Sequence, residues 1–257
     1  MAGLERVVPG PTTPLSRLYD VALRLLDLPR AALYQRRTQQ NLSRPRKGEL
    51  VFEEDETPLQ VSLALLQTPA AILSGDARED SAQLRWVLGD ALSSVLPQNA
   101  LVLGLPLDDA RALWHVILGA FGTPGLVNLE RKDAQLADLL WQTLAPRTQR
   151  RLSEQLASSE ATPFELVRER ARQSGRRVGM FLTGDFAHAA QMVLSDFPNQ
   201  GSLEDLSEEG GLERLCAKLP SLADLLRLAV RPEYADARWH LPTPASQRLS
   251  SGRLPPI

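Results

Sequence analysis

Cysteine is nearly missing from this 257-residue chain, where Cys216 stands alone. That excludes an internal disulfide and any thiolate metal cluster. Within LERLCAKL, Cys216 reads as a small core residue of a helix. Histidine is almost as scarce. His115, His188 and His240 show neither H-x-H nor H-x-x-x-H spacing, so no two are set on one helix face to share a metal, and each reads as a helix-surface or loop residue. Long apolar runs are absent too. No stretch approaches the ~20 apolar residues that span a bilayer, and MAGLERVVPG carries Glu5 and Arg6 where a signal peptide would hold its apolar segment. Charge of one sign is not in excess: 29 Lys and Arg against 31 Asp and Glu leave a formal net charge of -2. No global field then draws the chain to nucleic acid or an anionic membrane. The expectation is a cytoplasmic globular protein with neither of those partners. Also lacking are a G-x-S-x-G elbow, a G-x-G-x-x-G loop, a Walker lysine and any repeat with a period of 20 to 50 residues.

What is present is helical periodicity. Ser81 to Leu96, SAQLRWVLGDALSSVL, sets Leu84, Val87, Leu88, Ala91, Leu92 and Val95 on one continuous stripe. It predicts a buried central helix capped by Asp80 or Ser81 and stopped by Pro97. Upstream, residues 1–14 hold three prolines and little apolar surface, a flexible arm. Leu15 to Leu28 predicts a helix, Ala31 to Gln35 a short strand, and Leu59 to Leu66 and Ala70 to Ser74 two strands around the Thr68-Pro69 turn. Arginines and lysine of 36–47 adjoin the acids of 49–56. This reads as a solvated loop or hairpin, or as a phosphate-binding patch whose far field the acids weaken. Leu101 to Leu105 predicts a short strand or buried loop. Helices follow over 107–121, 133–144, 146–157 and 164–182, then one capped by Asp185 and one capped by Ser221, with an acidic loop at 199–211. The four tryptophans read as core or interface anchors. Residues 15–240 then form one globular domain, and the proline-rich residues 241–257 a disordered tail. The fold class is α+β, predominantly helical, with a small sheet packed on the 81–96 helix.

Order and local sequence together carry a resemblance. LQVSLALLQ and AAILSGDA run into the central helix, and RQSGRRVGMFLTGDFAHAAQMVL comes much later. This is similar to HtpX-like and CAAX-protease-like zinc metallopeptidases, which have an edge strand, a second strand, an ELxxVLxHExxH helix and a later helix that supplies a Glu ligand. The resemblance implies a zincin-like domain. It places Asp90 and Ser94 at the two histidines, Ala91 at the general base, Arg172 at the Glu ligand and Arg176 at the acidic residue one turn on. All five depart from the family's residues, and four of them do not suit zinc chemistry: serine is a poor ligand, alanine accepts no proton, and two cations would face a dication. A further implication is a pseudoenzyme with no metal or other cofactor and no catalytic residues. If the fold is kept, Asp90 faces Arg172 or Arg176, and a carboxylate–guanidinium pair could replace the metal as cross-link, so that Asp90→Ala destabilises the domain. Alternatively, Trp86, Asp90 and Ser94 simply form the polar side of the helix.

The resemblance extends to C-terminal regions of long uncharacterised bacterial proteins with helical repeats, which implies a protein partner, such as a helical-repeat protein. The leading expectation is a non-catalytic interaction or scaffold domain. The alternative is a hydrolase with an unrecognised active site and His115 or His188 as base, and a third is the terminal piece of a larger assembly. Leu59, Val61, Leu63 and Leu65 mark a candidate peptide-binding edge. The arginines at 168, 170, 172, 176 and 177, interleaved with Glu165 and Glu169, either face an acidic partner or form a solvated helix face.

Overall fold

The computed structural model describes residues 3–28, 31–36, 58–123, 125, 127–157 and 162–239. The charged stretch from 37 to 57, the tail from 241 and His240 lie outside the described residues. As expected, helix dominates, with one small sheet. Four strands, β1 (Leu4–Arg6), β2 (Ala32–Arg36), β3 (Gln60–Ala64) and β4 (Ala70–Ser74), lie in the order β1-β2-β4-β3. β2 and β4 are parallel, while β1 and β3 flank them antiparallel. The N-terminal segment is therefore no free arm. Leu4 pairs with Arg36 and Arg6 with Tyr34, Val7 is buried, and its N–H donates to the Leu33 carbonyl at 2.9 Å. Backbone pairing needs no apolar stripe, so hydropathy alone misses such an edge strand. Thr13 then accepts from the Ser16 N–H and caps α1 (Pro14–Leu25).

The predicted central helix is α2 (Ala82–Ser94). The Ser81 hydroxyl caps it by accepting from the Leu84 N–H at 3.1 Å, and Asp80 instead pairs with Arg85. Pro97 ends α2 but opens α3 (Pro97–Gly104), because the first helical turn needs no N–H from it. Residues 101–104 are thus helix rather than strand or loop, and Asn99 ties α3 back by donating to the Ser93 carbonyl at 2.9 Å. Next come α4 (Leu107–Phe121), α5 (Arg131–Thr143), α6 (Pro146–Ala157), α7 (Phe164–Thr183) and α8 (Phe186–Asp196). Gly184, at φ 67°, adopts the left-handed conformation that closes α7, and Asp185 caps α8 as its spacing predicts. Four short helices complete the fold: α9 (Leu203–Ser207), α10 (Gly211–Lys218), α11 (Pro220–Ala229) and α12 (Pro232–Trp239). Two expectations change here. The acidic 199–211 stretch contains α9, which a reciprocal Ser202/Asp205 capping box starts. Ser221 lies inside the first turn of α11, where it serves another helix.

One core joins these parts. Leu33, Ala71 and Leu73 of the sheet meet Leu84, Leu88 and Leu92 of α2, Met180 of α7, Val193 of α8, and Leu222 and Leu225 of α11. Within it α2 and α7 run antiparallel in their closest approach: Trp86 and Gly89 face Gly179, Asp90 faces Gly175, and Ser93 donates to Ser174 at 3.2 Å. A Cβ on Gly89 would sit 2.7 Å from the Gly179 backbone, so only glycine fits. Among the described residues no helix is long and apolar enough to cross a membrane.

Candidate functional site

The close α2–α7 contact opens, on one side, into a cavity of about 360 Å³ lined by Trp86, Asp90, Arg172, Arg176, Asp196 and Phe197. Helical spacing sets its walls. Trp86 and Asp90 are one turn apart on α2, Arg172 and Arg176 one turn apart on α7, and Asp196 with Phe197 closes the site from the end of α8.

Arg176 is the best-held group. Its side chain is only 7% exposed, and its guanidinium has a partner in three directions. Nη1 donates to Glu169 Oε1 at 3.1 Å and to Ser221 Oγ at 2.5 Å, while Nη2 donates to Asp196 Oδ2 at 3.0 Å. The Ser221 hydroxyl donates onward to Glu169 at 2.7 Å, and the guanidinium lies 5.6 Å from the Phe197 ring centroid. One arginine thereby ties α7 to α8 and α11. Buried charge of this kind is tolerable because two carboxylates and a hydroxyl accept from it.

Asp90 is in the opposite position. Among the described residues no hydrogen bond or ion pair reaches its carboxylate, which rests against Gly175. Burial pushes its pKa up to about 6, against the pull of Arg176 and Arg172, and Asp196 adds to the rise. Arg172 stands exposed at the same cavity, also without a hydrogen bond or ion pair among the described residues. Behind it, Arg168 holds Nε and Nη1 buried without an acceptor. Burial, then the neighbouring Arg172 and Arg111, lower its pKa. The cavity therefore carries charge of both signs, with Asp90 and Arg172 lacking a hydrogen bond or ion pair among the described residues.

Comparison with protein-family models, curated proteins and solved structures finds no match. The geometry alone decides how the sequence-derived residues relate. Asp90, Arg172 and Arg176 line one cavity, but the anticipated Asp90–arginine cross-link is not formed among the described residues; Asp196 and Glu169 take Arg176 instead. Ala91 is in the core and Ser94 is buried, and neither lines the cavity. His115 and His188 do not line it either, although His188 Nε2 is buried without a partner. Sequence reading missed Asp196, Phe197 and the structural role of Ser221. Zinc does not fit: two carboxylates beside two guanidiniums cannot hold a dication, and among the described residues no three His, Cys, Asp or Glu are grouped to bind one. The candidate peptide-binding strand, β3, is at the end of the sheet. Leu59, Val61 and Leu63 pack against the core, and Leu65 packs on Gly104. Its outer backbone edge has no strand partner among the described residues.

Proposed function

We propose that the chain is a non-catalytic interaction or scaffold domain on a metallopeptidase-like frame whose metal position has been given over to charged side chains. The observation that carries this reading is the cluster itself. Three positions that the resemblance assigns to a metal site, Asp90, Arg172 and Arg176, line one cavity, and a guanidinium network occupies it. Arg176 provides the cross-link between helices that a metal would otherwise give. Among the residues lining the cavity no hydroxyl or thiol nucleophile stands beside the carboxylates, which supports a non-catalytic role. Support for an interaction role comes from β3, an edge strand with its outer side unpaired among the described residues. An extended segment of a protein partner, such as a helical-repeat protein, would add to it as a further strand, gaining backbone hydrogen bonds.

The test is elemental mass spectrometry of untagged, purified protein. Zinc below about a tenth of an equivalent is expected when ligands are missing. Zinc near one equivalent would overturn the reading and make the site a real metal centre.

A further inference from the structure

The cavity holds two opposite charges that the protein does not use. Asp90 and Arg172 line the same space, yet neither carboxylate nor guanidinium has a hydrogen bond or ion pair among the described residues. Arg172 acts electrostatically on Asp90 across the cavity. Arg176 is already neutralised, since the carboxylates of Glu169 and Asp196 pair with it and Ser221 accepts a third hydrogen bond. A half-buried carboxylate without a protein donor has lost part of its hydration, and a cationic group placed beside it would offset that cost. Asp196, at the same cavity, adds to the negative charge around Asp90.

The signs of the two charges narrow the ligand. Asp90 rests on Gly175, three residues beyond Arg172 on α7, so the two side chains enter the cavity on neighbouring turns of that helix. An α-amino acid carries the complementary pair, an ammonium for the carboxylate and a carboxylate for the guanidinium. Between them, Trp86 and Phe197 give the cavity aromatic walls, and its volume of about 360 Å³ is sufficient for an amino acid with its side chain. We infer that this cavity binds a free α-amino acid with an apolar side chain, its ammonium on Asp90 and its carboxylate on Arg172, with the side chain between Trp86 and Phe197. The inference stands on the cavity and its unused charges. It holds whether or not the frame descends from a metallopeptidase, so its failure and a finding of bound zinc are separate results.

The experiment uses the full chain. Thermal shift with each of the twenty amino acids, at about 10 mM to reach weak affinities, should show saturable stabilisation by at least one apolar member. That ligand, its amide and its deaminated acid are then compared by titration calorimetry. The amide lacks the carboxylate and the deaminated acid lacks the ammonium, so each is expected to bind at least about tenfold more weakly, the scale of one charge-assisted hydrogen bond. Arg172→Gln, at an exposed position that leaves the core untouched, and Asp90→Asn, which keeps the side-chain shape, should each reduce affinity by at least about tenfold. No shift with any of the twenty would overturn the inference. So would an amide or deaminated acid that binds as well as the parent, or full affinity in either variant.

Discussion

At the scale of residues, two charges on facing helices show how environment sets energetic sign. Arg176 has acceptors in three directions, and taking it away would leave Glu169, Ser221 and Asp196 without their common donor. Arg176→Ala is expected to lower unfolding free energy by about 3 kcal/mol or more, read from urea denaturation; a loss below about 1 kcal/mol, typical of exposed pairs, would show that the network does not bind the helices together. Asp90 works in the other direction. Its pKa of about 6 in the folded protein lies above the usual carboxylate value, chiefly because it is buried. The native state therefore holds this proton more tightly than the unfolded chain does. Below about pH 4 the group is protonated in both states and costs nothing; as pH rises through about 6 the native state loses up to about 3 kcal/mol. Asp90→Asn removes the ionisation. Melting curves of the two proteins should coincide below about pH 4, diverge between about pH 4 and 6 and stay apart above that, with the variant the more stable. A variant less stable at pH 8 would restore the cross-link to Arg172 or Arg176 that the sequence suggests.

At the scale of elements, the contact that positions the cavity is made by glycines. A Cβ on Gly89 would meet Gly179 Cα and N at 2.7 Å. Backbone cannot yield as a flexible side chain would, so Gly89→Ala must push α2 and α7 apart. A loss of about 3 kcal/mol is expected, at the upper end of overpacking effects, measured by denaturant titration. Gly175→Ala should cost less, since the obstacle there is the Asp90 side chain. The α2 stripe announced itself because apolar side chains at helical period are a local signal, and Ser81 and Asp185 did so because a cap acts within three residues. The Gly175-x-x-x-Gly179 spacing was equally visible but has no meaning without its partner helix. Arg172 and Arg176 were found through a resemblance to a paired helix, whereas Asp196 and Ser221 come 20 and 45 residues after Arg176. Nothing local marks a hydrogen bond across such separations. β1 escaped for a related reason: its three residues owe their place to backbone pairing with β2, not to side-chain pattern.

At the scale of the whole molecule, stability is unevenly distributed. The sheet, α1, α2, α7, α8, α10 and α11 share the core, whereas α5 buries only Ala137 and α6 buries nothing. These two helices pack chiefly on α4. The Trp141 ring lies 5.0 Å from that of Phe121 and its Nε1–H donates to the Ala120 carbonyl at 3.0 Å. Gln149 of α6 donates to the Leu144 carbonyl at 2.8 Å. Leu136, Leu139 and Trp141 remain exposed on α5. From α4 to the start of α7 run the Arg111–Glu165 pair at 3.1 Å, exposed and therefore worth little, and the Trp114 indole donating to the Thr162 carbonyl at 3.1 Å. A region with few buried apolar contacts opens at lower free energy than the core that carries it. Hydrogen exchange read by mass spectrometry should show α5 and α6 amides exchanging at least about a hundredfold faster than those of α2 and α7, a gap of about 3 kcal/mol in opening free energy. Trp141→Ala should widen that gap by raising exchange in α5 and α6 alone. Equal protection in the two regions would mean that α5 and α6 open only with the core, and that their exposed leucines do not mark a separately mobile part.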